Sequence, residues 1–238
     1  MYKEVKIVEG ENFVTVEEAE SLDHVRMRVL LEELEVNYDE VEHYTVLLSK
    51  FQTKQVEDVL LEKGYQWEET TVYVHKNLIQ LEGRSSSIKL RDLETQTEAA
   101  FLDVWKESMS GSLSSDSPLH MEEQMKSVKK EIGPSYKKTC MTAFENEEPI
   151  GVIMPHIEQG TKEEGRLFYF GLRPKFRGQY RGRELHHLAL IRLRDDFGAT
   201  TYIGATSQNN EPMLKVFSAN DCEVRERKLA FRKTIKRK

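Results

Sequence analysis

Cysteine is scarce in this chain: Cys140 and Cys222 are the two in 238 residues, and neither has a partner at metal-ligand spacing. That removes a metal site from the reading, points away from export, and fits reduced thiols in a cytoplasm. A basic excess is also missing. Lys and Arg number 35 against 41 Asp and Glu, a formal charge of −6, which argues against a general nucleic-acid binder. The basic tail Arg225–Lys238 interleaves with apolar residues and reads as an edge strand rather than a nucleic-acid arm. No apolar run approaches the roughly 18 residues of a membrane span. Met1-Tyr2-Lys3-Glu4 opens no signal peptide. Nor is there a Walker loop, because no Gly-rich turn ends in Gly-Lys-Ser/Thr.

What is present concentrates at residues 174–185, Pro-Lys-Phe-Arg-Gly-Gln-Tyr-Arg-Gly-Arg-Glu-Leu. An apolar run, Leu167–Leu172, precedes this stretch, and Leu185, Leu188, Ala189 and Leu193 follow it on one helical face. A strand, a Pro-stopped turn with two arginines and two glycines, and then a helix make an anion pocket. The N–H groups of the first helical turn point outward, and the helix dipole adds partial positive charge there. Gly178 and Gly182 allow close backbone approach, and Arg177 and Arg181 are placed to donate charge-assisted hydrogen bonds. The expected guest is a phosphate or pyrophosphate.

A polar, small-residue break at Leu81–Ser87 divides the chain into domains 1–83 and 88–238. After it, Ile88–Arg91 alternates as a strand, 94–108 and 119–132 are helical, and 140–144 and 150–157 are strands joined by a polar turn. A strand at 201–205, a helix from 210 to 219 and strand material at 224 and 227–233 complete an α/β (α+β) sheet domain. The first domain is a smaller strand-helix-strand unit, and the two ends of the chain echo each other. Leu60–Tyr65 before Thr71–Lys76 resembles Phe217–Cys222 before Lys228–Lys233, at a constant offset: 221 − 64 = 157 and 231 − 74 = 157. The same shift pairs Val46 with Ile203, Val56 with Met213 and Val59 with Val216. This is the pattern of a repeated strand-helix-strand unit. Two unrelated amphipathic segments of that kind also match by chance.

Residues 172–182 and the later Asn210-Glu211-Pro212-Met213-Leu214-Lys215-Val216-Phe217 with Asn220-Asp221-Cys222 resemble two motifs of the GCN5-related N-acetyltransferase (GNAT) superfamily. They stand in the family's order and spacing, and the resemblance covers about residues 88–238. It implies the GNAT fold, a mixed central sheet flanked by helices, with the N-terminal domain as a truncated half-repeat. By that resemblance the backbone of Arg177, Gly178, Gln179, Tyr180, Arg181, Gly182 and Arg183 cradles the pyrophosphate of acetyl-CoA. Phe170 and Leu172 line the pantetheine arm, and Asn210 and Phe217 touch the cofactor. Tyr180 stands where the family often has Gly. Phe217 stands where it often has the Tyr that protonates the departing thiolate.

The implied reaction is direct attack of a neutral primary amine, of a small molecule or a protein, on the acetyl thioester. It needs a proton acceptor and a donor to the oxyanion. Three residues are candidates for the base. Tyr169 sits mid-strand on the face opposite Phe170; its pKa of about 10 would need lowering, and a packed core aromatic is the plainer reading. His156 ends a strand. Glu164, with Glu163, lies just before the 167–172 strand, where charged residues are commonly solvated. His186 and His187 read as packing or surface residues. His120, after the Ser-rich stretch 110–117, is a candidate for acceptor contact; that stretch reads as a loop over the acceptor or as a bland linker. A catalytic acetyltransferase is the first reading. The alternative is an acyl-CoA-binding module with a regulatory or interaction role. Neither reading brings in nucleic acid, membrane or metal, and a homodimer is compatible with both.

Overall fold

The computed structural model describes residues 5–10, 12–50, 52–113 and 120–235. The chain folds as two compact units, one of Met1–Val72 with Glu226–Lys238 and the other of Tyr73–Arg225. In chain order come β1 (Lys6–Glu9), β2 (Phe13–Glu17), α1 (His24–Asn37), β3 (His43–Ser49), α2 (Lys54–Glu62) and β4 (Gln66–Asn77). They are followed by β5 (Lys89–Arg91), α3 (Glu98–Met109), α4 (Met121–Ile132), α5 (Tyr136–Thr139), β6 (Met141–Glu145) and β7 (Glu148–Ile157). The chain closes with β8 (Glu164–Leu172), α6 (Arg181–Asp195), β9 (Thr201–Ser207), α7 (Glu211–Ala219) and β10 (Glu223–Thr234).

In the first unit β2 lies antiparallel to β1 and parallel to β3, and β3 pairs antiparallel with the C-terminal strand from Ser49↔Lys228 to His43↔Thr234. The two-residue period of β3 turns Tyr44, Val46 and Leu48 inward. They meet Met27, Leu31 and Leu34 of α1, Val56 and Leu60 of α2, and Phe231 of β10 in one cluster. Helix α1 starts at Asp23, whose carboxylate accepts from the amides of Val25 at 3.0 Å and Arg26 at 2.8 Å.

In the second unit the strand order is β4-β9-β8-β7-β6-β5. Strands β5 to β8 are antiparallel neighbours, while β9 runs parallel to β8. Successive residues of β7 feed two cores. Val152 and Met154 pack with Phe101 and Trp105 of α3 and Met125 and Val128 of α4; Ile150 and Ile153 pack with Leu185 and Ala189 of α6. This is the expected mixed sheet flanked by helices.

The units divide at Val72/Tyr73 and Arg225/Glu226, whereas sequence composition places the break at 81–87. The linker composition marks a turn after β4, but the last strand returns to the first unit, which no local signal announces. Strand β8 begins at Glu164, so this residue stands inside the strand rather than in the turn before it. Of the Ser-rich stretch, residues 114–117 lie outside the described residues, as do 118 and 119 after it. Two pairs of elements stand at the repeat offset: 211 − 54 and 219 − 62 both give 157 for α2 and α7, as do 223 − 66 and 234 − 77 for β4 and β10, whereas β3 and β9 stand 158 apart at both ends. Gly64 and Asp221, paired by that offset, both have left-handed φ, 84° and 54°.

Candidate functional site

Strands β8 and β9 pair at Glu164↔Thr201 and Gly165↔Tyr202, and there the ladder stops. Residues 166–172 of β8 keep β7 on one side and have no strand partner on the other among the described residues. A parallel pair that opens into a V leaves backbone N–H and C=O groups facing the gap, ready for a ligand that runs like a strand.

At the open end of the V, Pro174–Phe176 forms one 3-10 turn. Gly178 follows at φ 74° and Tyr180 at φ 60°, two left-handed residues that turn the chain into α6. A Cβ built on Gly178 meets nothing within 4 Å, so it is the positive φ rather than crowding that favours glycine there. The first helical bonds run from the amides of Arg183 and Glu184 to the Tyr180 carbonyl, at 3.0 and 3.3 Å. The amides of Arg181 and Gly182 precede that ladder and carry the positive end of the helix dipole. Tyr180 accepts the strained conformation with its ring 89% exposed, and Arg183 is exposed beside it.

The side chains of Arg177 and Arg181 differ from expectation. Arg177 donates from Nε to the Leu172 carbonyl at 3.0 Å, and from its two terminal nitrogens to the carbonyls of Gly111 at 3.0 Å and Ser108 at 2.9 Å. Arg181 places Nε and Nη2 on Glu145 Oε2 at 3.0 and 2.8 Å. Both guanidinium groups hold the turn, Arg177 against the ends of β8 and α3 and Arg181 against β6. Gly182 lets α6 approach α7, since a Cβ there lies 3.3 Å from Val216 Cγ2.

The candidate bases are dispersed. Tyr169 points away from Phe170, as alternation requires: it packs on Trp105 at 5.8 Å between ring centroids and donates its hydroxyl proton to the Ser108 carbonyl at 2.9 Å. Burial pushes its phenol up to about 12, against the opposing pull of Arg177. His156 is buried in β7 with Nε2 3.8 Å from Glu158 Oε2, and its Nδ1 has no partner among the described residues. Glu164 binds Arg166 Nε at 2.7 Å, and Glu163 accepts from the Thr200 hydroxyl at 2.9 Å. His120 caps α4, its amide donating to Glu123 at 3.1 Å. His187 has Nε2 3.0 Å from the Glu82 carbonyl.

Asn210 caps α7, accepting from Met213 N at 3.3 Å and donating to Thr206 Oγ1 at 3.0 Å. Phe217 is buried and stands edge-on to His186 at 5.5 Å, as Phe170 does from β8. His186 is therefore a core residue, and it joins Tyr202 and Asn220 in a buried polar chain. Asn220 entered the sequence reading only as part of the second motif, and Tyr202 was not singled out. The signal was a repeated Tyr-x-Gly: Tyr169 lies over Gly171 and Tyr202 over Gly204. A Cβ on either glycine would stand 2.7 and 2.5 Å from the respective hydroxyl. Each strand bordering the V thus carries one tyrosine folded back along it.

Among the described residues no group of His, Cys, Asp and Glu is placed to hold a metal, and no helix is long and apolar enough to cross a membrane. Residues 100–220 match the acetyltransferase (GNAT) family profile. Curated protein sequences give no match. Among solved structures, a GCN5-related N-acetyltransferase from Sphaerobacter thermophilus superposes with a TM-score of 0.65 at 13% identity, covering 98% of this chain and 76% of its own. One from Kribbella flavida gives 0.59 at 11%, covering 93% and 80%. A tandem GNAT protein from the clavulanic acid biosynthesis pathway gives 0.59 at 12%, covering 98% and 79%. At such identities the likeness is one of fold.

Proposed function

Since the chain belongs to the GNAT acetyltransferase family, we propose that it transfers the acetyl group of acetyl-CoA to a primary amine by direct attack in a ternary complex. The observation that carries this reading is the V between β8 and β9, ending in the turn 177–183. The pantetheine arm pairs with the free edge of β8 near Phe170 and Leu172. The pyrophosphate meets the amides from Gly178 to Gly182. Backbone recognition explains why Tyr180 is tolerated where glycine is common, because an amide donates whatever its side chain. A net charge of −6 favours a cationic acceptor, whose amine must lose a proton before attack. With Tyr169 committed to the Ser108 carbonyl, His156 or water in the cleft serves as the proton acceptor. The half-repeat supports a two-domain origin in which the first copy lacks a turn of its own, and the acyltransferase works in the cytoplasm as a monomer or homodimer.

Thiol release from acetyl-CoA against a panel of small amines and lysine peptides tests the reading, alongside calorimetric binding of acetyl-CoA. Turnover with one amine class supports it. Tight binding with no thiol release above background leaves the non-catalytic acyl-CoA-binding module instead. Unchanged cofactor affinity in Arg177→Ala/Gly182→Asp would mean that the turn is not the site.

A further inference from the structure

This inference rests on the reading that an acyl thioester lies between β8 and β9, and it concerns one buried proton. Asn220 Nδ2 lies 3.0 Å from the Arg183 carbonyl and 3.1 Å from His186 Nδ1. A carbonyl oxygen only accepts, so the atom facing it is the amide nitrogen; the reversed amide would set two oxygens together. The second hydrogen on that nitrogen is directed at His186 Nδ1, which therefore carries a lone pair. His186 is fully buried, and desolvation lowers its pKa to about 3, so the ring holds a single proton, on Nε2. Nε2 is 3.2 Å from the Tyr202 hydroxyl. The tyrosine oxygen is thus an acceptor, and its own proton has no acceptor within hydrogen-bonding distance among the described residues. Most buried donors are paired, whereas this proton is free to meet an atom from outside the chain.

Tyr202 is the last residue of β9 that pairs with β8, which puts it at the vertex of the V. Its hydroxyl and the edge of the Phe217 ring lie 2.5 and 2.9 Å from the same point, the missing Cβ of Gly204. The two side chains share one space, and of the pair only Tyr202 has a donor. Burial, with a smaller contribution from Cys222, holds this phenol well above its usual 10, so it enters each turnover protonated and acts as a donor rather than a base.

We infer that the Tyr202 hydroxyl is the hydrogen-bond donor to the sulfur that leaves during acetyl transfer, with His186 and Asn220 as positioning residues that turn its proton toward that sulfur. In the step, the amine nitrogen forms the N–C bond and the C–S bond breaks. The electron pair of that bond goes to sulfur, whose developing charge accepts the Tyr202 hydrogen bond. The amine's proton passes to solvent water, and the thiolate takes a proton from the same pool on release.

The test compares wild type, Tyr202→Phe and Tyr202→Phe/Phe217→Tyr, each checked for folding by thermal unfolding. Removing one such donor lowers kcat by ~100-fold, with KM for acetyl-CoA unchanged. The double variant, which returns a hydroxyl to the same space, recovers most of that loss. Binding gives a readout free of turnover. Wild type binds CoA more tightly than dethio-CoA, in which hydrogen replaces the thiol, and Tyr202→Phe abolishes the difference. If wild type discriminates the thiol through Tyr202 yet transfers no acetyl group, the transferase reading fails and the Tyr202 contact stands. Wild-type kcat and wild-type thiol discrimination in Tyr202→Phe overturn the inference. If Tyr202→Phe does not fold, a folded double variant with less than a tenth of wild-type kcat also overturns it. Absence of acetyl-CoA binding by wild type overturns both readings.

Discussion

The three carbonyls gathered by Arg177 belong to the end of β8 and to the chain that ends and follows α3, so one side chain fixes both walls of the turn. Arg177→Ala leaves those acceptors unpaired and should lower stability by about 2 kcal/mol in urea unfolding. Arg177→Lys should recover little of it, because a single ammonium cannot fork to three oxygens. His186 sets a different expectation. Its folded pKa of about 3 lies below the ordinary 6.5 because the ring is desolvated. For a group whose folded pKa is depressed, the unfolded chain binds the proton first. Its stabilising contribution is complete above pH 6.5 and is lost as pH falls toward 3, by about 1.4 kcal/mol per pH unit. His187 is shifted the same way by burial, with Arg84 adding to it. Urea titrations at pH 7, 6 and 5 should show wild type losing stability faster than His186→Phe; parallel slopes would remove His186 as the source.

At the level of elements, the glycines of the two Tyr-x-Gly segments decide how the strands beside the V are faced. A methyl on Gly204 would stand 2.5 Å from the Tyr202 hydroxyl and 2.9 Å from the Phe217 ring. Gly204→Ala should therefore cost about 2 kcal/mol by overpacking and move both rings, whereas Gly182→Ala, 3.3 Å from Val216, should cost well under half of that. Denaturant unfolding of the two variants separates them. The turn and its helix were legible in the sequence because Pro174, Gly178 and the helical spacing of Leu185, Ala189 and Leu193 are local signals. The commitments of Arg177 and Arg181 were not, since their partners Ser108, Gly111 and Glu145 lie tens of residues away. Tyr202 was hidden for a related reason: its role comes from a proton chain through His186 and Asn220 on two other elements. Tyr169 reads from sequence as a base or a core residue, and its ring contact with Trp105 of α3, 64 residues away in the chain, is not a local signal.

At the scale of the molecule, the repeat offset predicts equivalent elements from one end of the chain to the other; the bounds of α2/α7 and of β4/β10 stand at that offset, while those of β3/β9 stand one residue off it. What pattern alone could not give is which unit each copy completes. Strand β10 is the last element of the sequence, yet residues 226–238 belong to the unit that begins with β1. Phe231 sits in the core of that unit with Val46, Val59 and Tyr65, and Arg232, Lys233 and Thr234 pair with Thr45, Tyr44 and His43. A chain ended at Arg225 would expose the whole edge of β3 and leave the Phe231 site vacant. Loss of a buried Phe costs about 3–5 kcal/mol by itself, and the ladder is lost with it. The expected outcome is loss of the first unit's fold, seen as missing amide-exchange protection over α1, β2 and β3, with aggregation through the bare strand edge. Protection of those elements equal to wild type in the shortened chain would show that the first unit folds from residues 1–72 alone. A synthetic peptide spanning residues 223–238, added back in trans, should restore protection of β3 if the strand is the missing part, and a peptide carrying Phe231→Ala should restore much less.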